Sequence, residues 1–169
     1  MRENSRNGLA REGLRRSYRP AQVQLLFVGE APPASGRLFY QADSGLYRAV
    51  RDAFLGALPR IADENFLNSF QELGCYLVDL CGRPVDDLGP KARQEARVDG
   101  EVRLARIIRH LRPAIMITVV KSIAGNVRRS QQTANWTGVH IELPYPGRWH
   151  RHRAEFLQVL IPVLREHLG

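Results

Sequence analysis

An apolar strand runs directly into a turn at residues 25–33, which read Leu25-Leu26-Phe27-Val28-Gly29-Glu30-Ala31-Pro32-Pro33. Gly29 and the two prolines predict the turn, because glycine and proline are the strongest signals for the end of a regular element. The turn carries a single carboxylate, that of Glu30. Ligands of open α/β sheets bind at the C-terminal ends of the strands, so Glu30 is the first candidate functional residue.

Strand and helix patterns alternate along the rest of the chain. Mostly apolar segments predict strands at 23–28, 76–80 and 114–120, and a fourth strand is predicted at 139–143, which reads Val-His-Ile-Glu-Leu. Apolar residues at helical spacing predict helices from a cap at Ser44 to about 57, at 95–112, at 122–130 and near the C-terminus, where Pro162 implies a kink or a displaced start. This alternation predicts an α/β fold: a single domain with a mostly parallel central sheet and helices on both faces.

The composition suits a basic globular protein. The chain has 169 residues and is 44% apolar, enough for one domain with a sizeable core. Its 25 basic and 17 acidic residues give a formal net charge of +8, and every basic residue except Lys91 and Lys121 is an arginine. Arginine favours phosphate partners, because its planar guanidinium makes paired hydrogen bonds to phosphate oxygens. The alternative is that the charge serves only solubility.

Residues 1–20 are polar and contain six arginines. This composition predicts an Arg-rich, mobile or loosely packed N-terminal arm, followed by the folded domain at 21–169. Such an arm either touches nucleic acid or is a solvated tail.

Cys75 and Cys81 are the only cysteines. Two are too few for a disulfide framework or a four-thiolate cluster, so both are expected to be buried apolar residues. The chain shows neither the apolar run of a secretory signal nor a stretch of membrane-spanning length. We therefore expect a cytoplasmic protein, monomeric and without a membrane partner.

The order of motifs resembles the uracil-DNA glycosylase superfamily, and the first motif is most similar to the group that reads GEAPG. The resemblance spans nearly all of the chain after the arm. It implies an α/β fold and a DNA repair enzyme that flips a damaged or deaminated base out of DNA, single-stranded or duplex, and hydrolyses its N-glycosidic bond. The matching segments are Phe-Val-Gly-Glu-Ala-Pro at 27–32, Gly36-x-x-Phe39, Gly45-Leu46, 76–80 with Arg83-Pro84, 107–120, and Pro144-Tyr145-Pro146.

The resemblance assigns roles to residues of the first two motifs. Glu30 matches the catalytic glutamate that places the attacking water, within a turn in which Gly29 and Ala31 also contact the flipped nucleotide. A carboxylate suits this role because glycosidic cleavage passes through an oxocarbenium-like state. Phe39 matches the aromatic residue that stacks on the base. The alternatives are that Glu30 pairs with a nearby arginine or binds backbone amides, and that Phe39 is a packing residue.

Asp79 stands where many members of the superfamily have an asparagine that reads uracil. An ionised carboxylate only accepts hydrogen bonds, so Asp79 suits a base edge with two donors, such as that of guanine. It could instead be protonated in an apolar pocket, or cap the following turn.

Leu143 stands where the superfamily has a histidine that stabilises the departing base. That stabilisation is lost at this position unless His140, His150 or His152 replaces it. The iron-sulfur cluster of the GEAPG group needs four cysteines, so we expect no cofactor and no metal.

The loop before the last helix is the predicted DNA contact. In the superfamily this loop fills the gap left by the flipped base, which gives Trp149 the role of a wedge. The alternative places Trp149 against the last helix, with the arginines in water. The predicted DNA-binding residues are Arg148, Trp149, His150, Arg151 and Arg153.

Three functions follow from these patterns. The first is a DNA glycosylase-like enzyme, with the base not determined. The second is a nucleic-acid- or nucleotide-binding protein on the same fold with weakened catalysis. The third is hydrolysis of a free nucleoside or nucleotide, which would need no wedge loop.

Overall fold

Four parallel strands form the sheet in the computed structural model, which describes residues 2–169 and their side chains from residue 6 onward. The strand order is β2-β1-β3-β4. The predicted α/β class and parallel sheet are therefore confirmed. The strands are β1 Leu25–Gly29, β2 Cys75–Asp79, β3 Ile115–Thr118 and β4 Val139–Glu142.

Six α-helices are present in the described part of the chain. The cap predicted at Ser44 is confirmed, because its side chain accepts a hydrogen bond from the Tyr47 amide. The last helix starts well before Pro162 and runs through it, so the predicted displaced start is wrong. The helices are α1 Arg2–Ser17, α2 Gly45–Ala57, α3 Phe66–Glu72, α4 Pro90–Leu111, α5 Ala124–Thr133 and α6 His150–Leu168.

The connections place helices on both faces of the sheet. The β1 to β2 connection steps one way along the sheet, and the β2 to β3 connection steps back across β1. Because such crossovers are right-handed, α2 and α3 cover one face, and α4 and α5 cover the other. Accordingly, α2 packs against α6, and α4 packs against α5. The reversal of direction lies between β1 and β3, where open sheets bind ligands.

Strand β1 is the centre of the core. All five of its residues are buried, and it pairs with β2 on one edge and with β3 on the other. Cys75 and Cys81 are free, and both are buried as expected. None of the described helices is long and apolar enough to cross a membrane.

The N-terminal segment differs from the loosely packed arm that its composition predicts. It forms α1, whose second half packs on the domain through Leu14 and the adjoining Tyr18. The Tyr18 ring stacks on Tyr40 at a centroid distance of 5.4 Å, and the Arg15 guanidinium lies over the Tyr76 ring. These contacts use aromatic and cationic side chains, so an apolar periodicity could not reveal them.

Tyr40 also completes the hydrogen bonding of β2, which is an edge strand. Its buried hydroxyl accepts a hydrogen bond from the Leu77 amide at 2.7 Å and donates one to the Leu77 carbonyl at 3.0 Å. A side chain thus takes the place of a neighbouring strand, and burial raises the pKa of Tyr40 well above its ordinary value.

We expect Tyr40→Phe to lower the free energy of unfolding by about 1–3 kcal/mol, because two buried backbone groups of Leu77 lose their partner. Urea denaturation followed by circular dichroism measures the change. Tyr47→Phe is the control, since no hydrogen bond within the described residues uses the Tyr47 hydroxyl. Equal effects of the two substitutions would show that the hydroxyl of Tyr40 does not stabilise the strand.

Candidate functional site

A pocket of about 350 Å³ opens at the C-terminal ends of the strands. Segments that follow β1, β2 and β3 line it, together with one side of α1. Its volume lies within the range of small-molecule sites, roughly 300–1,000 Å³. The sequence-predicted residues that line the pocket are Gly29, Glu30, Ala31, Phe39 and Asp79.

Glu30 is held by two arginines of α4. The Arg93 guanidinium makes two hydrogen bonds to its carboxylate, and Arg97 Nε donates to Glu30 Oε2 at 2.5 Å. The Glu30 side chain is only 13% exposed. Glu30 is therefore paired with arginine, which was one of the alternatives for this residue.

The pairing fixes the charge of Glu30. Burial acts to raise the pKa of this carboxyl, but the hydrogen bonds from Arg93 and Arg97 outweigh it, and the pKa lies below its ordinary value of 4.5. Glu30 is thus an ionised carboxylate with a fixed orientation and a weak affinity for protons. It can hold a water molecule or stabilise a neighbouring positive charge, but it is a poor general base.

A glycine lets α4 lie close to the end of β2. A Cβ atom on Gly100 would lie 2.3 Å from the carbonyl oxygen of Leu80, just after β2. The helix backbone therefore approaches the strand ends directly, and its arginines reach the pocket. Arg93 and Arg97 are four residues apart, so they lie on one face of the helix.

Asp79 lies at the end of β2, opposite Gly29 in the parallel register. One of its carboxylate oxygens is 2.7 Å from the position that a Cβ atom on Gly29 would occupy. Any side chain at residue 29 would therefore displace the carboxylate. Within the described residues the carboxylate of Asp79 accepts no hydrogen bond, which does not support a turn-capping role.

Burial raises the pKa of Asp79 to about 6, because the nearby positive charges of Arg103 and Arg15 offset only part of the cost of desolvation. Arg103 donates to the Asp79 backbone carbonyl at 2.5 Å rather than to its carboxylate. The Asp79 carboxylate is therefore ionised at neutral pH but becomes protonated in mildly acidic solution.

Aromatic residues form one wall of the pocket. Phe39 and Tyr40 meet edge to face at a centroid distance of 5.1 Å, and Phe39 also contacts Tyr47 and Phe70. Phe39 is 4% exposed and lines the pocket, so it belongs to both the core and the site. Packing in the core and stacking on a base are thus not mutually exclusive roles for Phe39.

Leu143 does not line the pocket, contrary to its assignment as a base-binding residue. Its amide donates to the Thr118 carbonyl at 2.8 Å, which extends the pairing of β4 with β3, and its side chain is fully buried in the core. Tyr145, two residues further on, lines the pocket instead. Tyr145 lies beyond the end of β4, a placement that motif alignment alone could not establish.

Arginines that were not assigned from the sequence surround the pocket. Arg11 and Arg15 come from α1, and Arg93 and Arg103 come from α4. Burial and the nearby charge of Arg15 lower the pKa of Arg103. The concentration of positive charge suits an anionic ligand such as a nucleotide.

The predicted DNA-binding loop is exposed beside the pocket rather than inside it. Trp149 is 62% exposed, which does not support packing against α6, and Arg148, His150 and Arg151 are also exposed. Arg153 differs, because it forms an ion pair with Asp52 of α2.

No histidine lines the pocket among the residues that the structure describes. His140 lies on β4, where its ring is hydrogen-bonded to the Thr118 hydroxyl at 2.6 Å, and burial lowers its pKa. His150 and His152 lie in the first turn of α6. The described residues contain no cluster of three or more His, Cys, Asp or Glu side chains arranged for a metal ion.

Comparison with known proteins assigns no family. Neither a protein-family model nor a curated protein matches the chain. The chemistry of the pocket and of the loop beside it is therefore what indicates the function.

We expect Glu30→Gln to lower the free energy of unfolding by about 1–3 kcal/mol at pH 7, because two arginines lose a charged partner. The folded-state pKa of Glu30 is lowered, so the stabilisation is present above its ordinary value of 4.5 and is lost as the pH falls. The difference between parent and variant should therefore shrink below pH 4.5. Urea denaturation at pH 7 and at lower pH measures it.

Glu155→Gln is the matched control, because the Glu155 ion pair with Lys121 is exposed. It should have little effect at any pH. A Glu30→Gln difference that is the same at low and neutral pH would contradict the assigned ionisation.

Proposed function

We propose that the protein is a DNA glycosylase-like enzyme that flips a damaged or deaminated base into the pocket and hydrolyses its N-glycosidic bond. The observation that carries the proposal is the pocket at the strand ends, which combines an ionised Glu30, the aromatic Phe39 and an unpartnered Asp79. The sequence resemblance to uracil-DNA glycosylases supports the same assignment. The expected process is base excision in DNA repair.

The chemistry of Glu30 fits a role based on charge. Breaking a glycosidic bond leaves positive charge on the sugar, and a fixed carboxylate stabilises that charge without reorganising. Arg93 and Arg97 hold the carboxylate in one orientation, in which it can also position the attacking water. Glu30 would act mainly through its charge and as a hydrogen-bond acceptor.

Positive charge and the exposed loop support DNA as the partner. Trp149 is available to fill the gap in a stack of bases, and Arg148 and Arg151 are available to phosphates. Burial of both free cysteines suits a reducing compartment, so we propose a cytoplasmic location and retain the expectation of a monomer.

A second function is favoured by one specific observation. The carboxylate of Glu30 is already engaged by two arginines, and no histidine lines the described pocket to assist the departing base. These features favour a nucleic-acid- or nucleotide-binding protein with weakened catalysis. Binding and cleavage assays on the same oligonucleotides separate the two functions.

Single- and double-stranded oligonucleotides that contain uracil, hypoxanthine, xanthine or an oxidised guanine test the proposed reaction. We expect at least one to be cleaved after treatment with hot alkali, which breaks abasic sites. Glu30→Ala should lower that rate about 100-fold or more, as the loss of a charge-stabilising group does in other enzymes. Glu166→Ala, which removes an exposed carboxylate near the C-terminal end of α6 and outside the pocket lining, should leave the rate unchanged.

Two results would contradict this proposal. Salt-sensitive binding without cleavage of any substrate would favour the binding protein. Cleavage that Glu30→Ala leaves unchanged would refute the role of Glu30.

The exposed loop gives a separate prediction for binding. Replacing Arg148 and Arg151 together by alanine should reduce the slope of log K against log salt concentration by about 2, one for each phosphate contact. Arg153→Ala should change the slope less, because Arg153 is paired with Asp52. Fluorescence anisotropy of a labelled duplex at several salt concentrations measures the slopes.

Trp149→Ala should weaken duplex binding about tenfold, since loss of an aromatic–base stack costs roughly 1–3 kcal/mol. It should leave nucleoside binding unchanged.

The salt dependence has its own contradicting outcome. If Arg153→Ala reduces the slope as much as the double substitution does, the loop does not bind DNA as described.

A further inference from the structure

The carboxylate of Asp79 is an unused hydrogen-bond acceptor in the pocket. It receives no hydrogen bond from the described residues, although it lines the pocket and is partly buried. No fully buried side-chain oxygen of the described residues lacks a partner, so the carboxylate oxygens of Asp79 are open to the pocket, where a ligand can supply their donors. Because Gly29 has no side chain, there is space beside it for the carboxylate of Asp79.

The neighbouring cations do not supply these donors, because their hydrogen bonds go elsewhere. Arg103 donates to the backbone carbonyl of Asp79, and Arg15 donates to Glu12. Arg93 and Arg97 hold Glu30. The acceptor capacity of Asp79 is therefore available to a ligand.

We propose that Asp79 makes this pocket selective for a guanine-type base, whose N1–H and 2-amino groups place two adjacent donors opposite the two carboxylate oxygens. The inference rests on the proposed function, in so far as the ligand is a flipped base. Two parallel hydrogen bonds to an ionised carboxylate are strong and directional. Oxidised guanines keep both donors and belong to the same class.

Other bases fit the carboxylate less well. Uracil presents an acceptor oxygen beside its N3–H, and the oxygen would be repelled by the carboxylate. Hypoxanthine has the N1–H but lacks the amino group. Adenine and cytosine place a ring-nitrogen acceptor beside their amino groups. A site that is built to receive two donors rejects analogues that lack one of them, because the bound analogue covers one carboxylate oxygen without giving it a hydrogen bond.

The other walls of the pocket are compatible with a purine. Phe39 and Tyr40 provide aromatic surface, and Leu77 and Val119 provide apolar contacts. A volume of about 350 Å³ is compatible with a two-ring base. The size and the polarity of the site therefore both fit a guanine-type purine.

Isothermal titration of guanosine, inosine and uridine into the full chain at pH 7.5 tests the inference. These nucleosides have no phosphate, so the arginines around the pocket do not dominate binding. We expect guanosine to bind about tenfold or more tightly than inosine, which lacks only the 2-amino group, and than uridine. Asp79→Asn should remove this preference.

Asp86→Asn is the matched control, because Asp86 also lines the pocket but already accepts a hydrogen bond from the Ala34 amide. It changes the local charge equally and should preserve the preference for guanosine. Thermal denaturation checks that the Asp79→Asn variant is folded, as expected for a side chain without a protein partner.

The affinity of the parent protein for guanosine should also fall as the pH is lowered through about 6, where Asp79 becomes protonated, and the affinity of Asp79→Asn should not. The other charged or titratable groups that face Asp79 keep their charge state or remain neutral in this range. They are Arg15 from α1, Glu30 after β1, Tyr40, Cys81 after β2 and Arg103 from α4.

Equal affinity for guanosine and inosine would overturn the inference, as would an unchanged preference in Asp79→Asn or no guanosine binding at millimolar concentration. Failure of the proposed function is distinguishable from failure of this inference. Guanosine selectivity without cleavage of any oligonucleotide would refute the enzyme and support the selectivity. Cleavage without guanosine selectivity would support the enzyme and refute the selectivity.

Discussion

The pairing of β1 on both of its edges is the constraint on which the rest of the structure depends. Its parallel register with β2 places Gly29 opposite Asp79, and its register with β3 ends beside Val119. Three strand ends therefore meet at one edge of the sheet, at the point where the chain reverses its direction along the sheet. Residues far apart in sequence line the same pocket because these three strands stop together.

The two carboxylates of the pocket respond differently to the same cost of desolvation. Two arginines of α4 compensate the burial of Glu30, so its pKa falls below the ordinary value. No comparable hydrogen bonds reach the carboxylate of Asp79 within the described residues, so burial dominates and its pKa rises to about 6. One carboxylate is thus committed to the protein, and the other remains available. This contrast separates a group with a fixed charge from a group that can select a ligand.

Much of the fold could be predicted from local patterns. The pattern of apolar residues indicated the strands, and Ser44 indicated the start of α2, because burial and capping depend on neighbouring residues. Local patterns did not predict two of the helices. The short helix α3 lies in a segment too brief for a clear periodicity. Helix α1 is mostly polar, and its contacts depend on Tyr40 and Tyr76, which lie elsewhere in the sequence.

The site was predictable in position but not in electrostatic state. The strand and turn at residues 25–33 placed Glu30 at a ligand-binding edge, and the structure places it there. Its partners Arg93 and Arg97 are 63 and 67 residues away, on helix α4, whose close approach to the end of β2 is permitted by Gly100. Nothing local to Glu30 encodes that approach. Leu143 shows the converse. Its place in the motif predicted a contact with the base, but the pairing of β4 with β3 continues to Leu143, and its side chain is buried in the core. The order of residues locates a site, but long-range packing decides which of its groups are free to react.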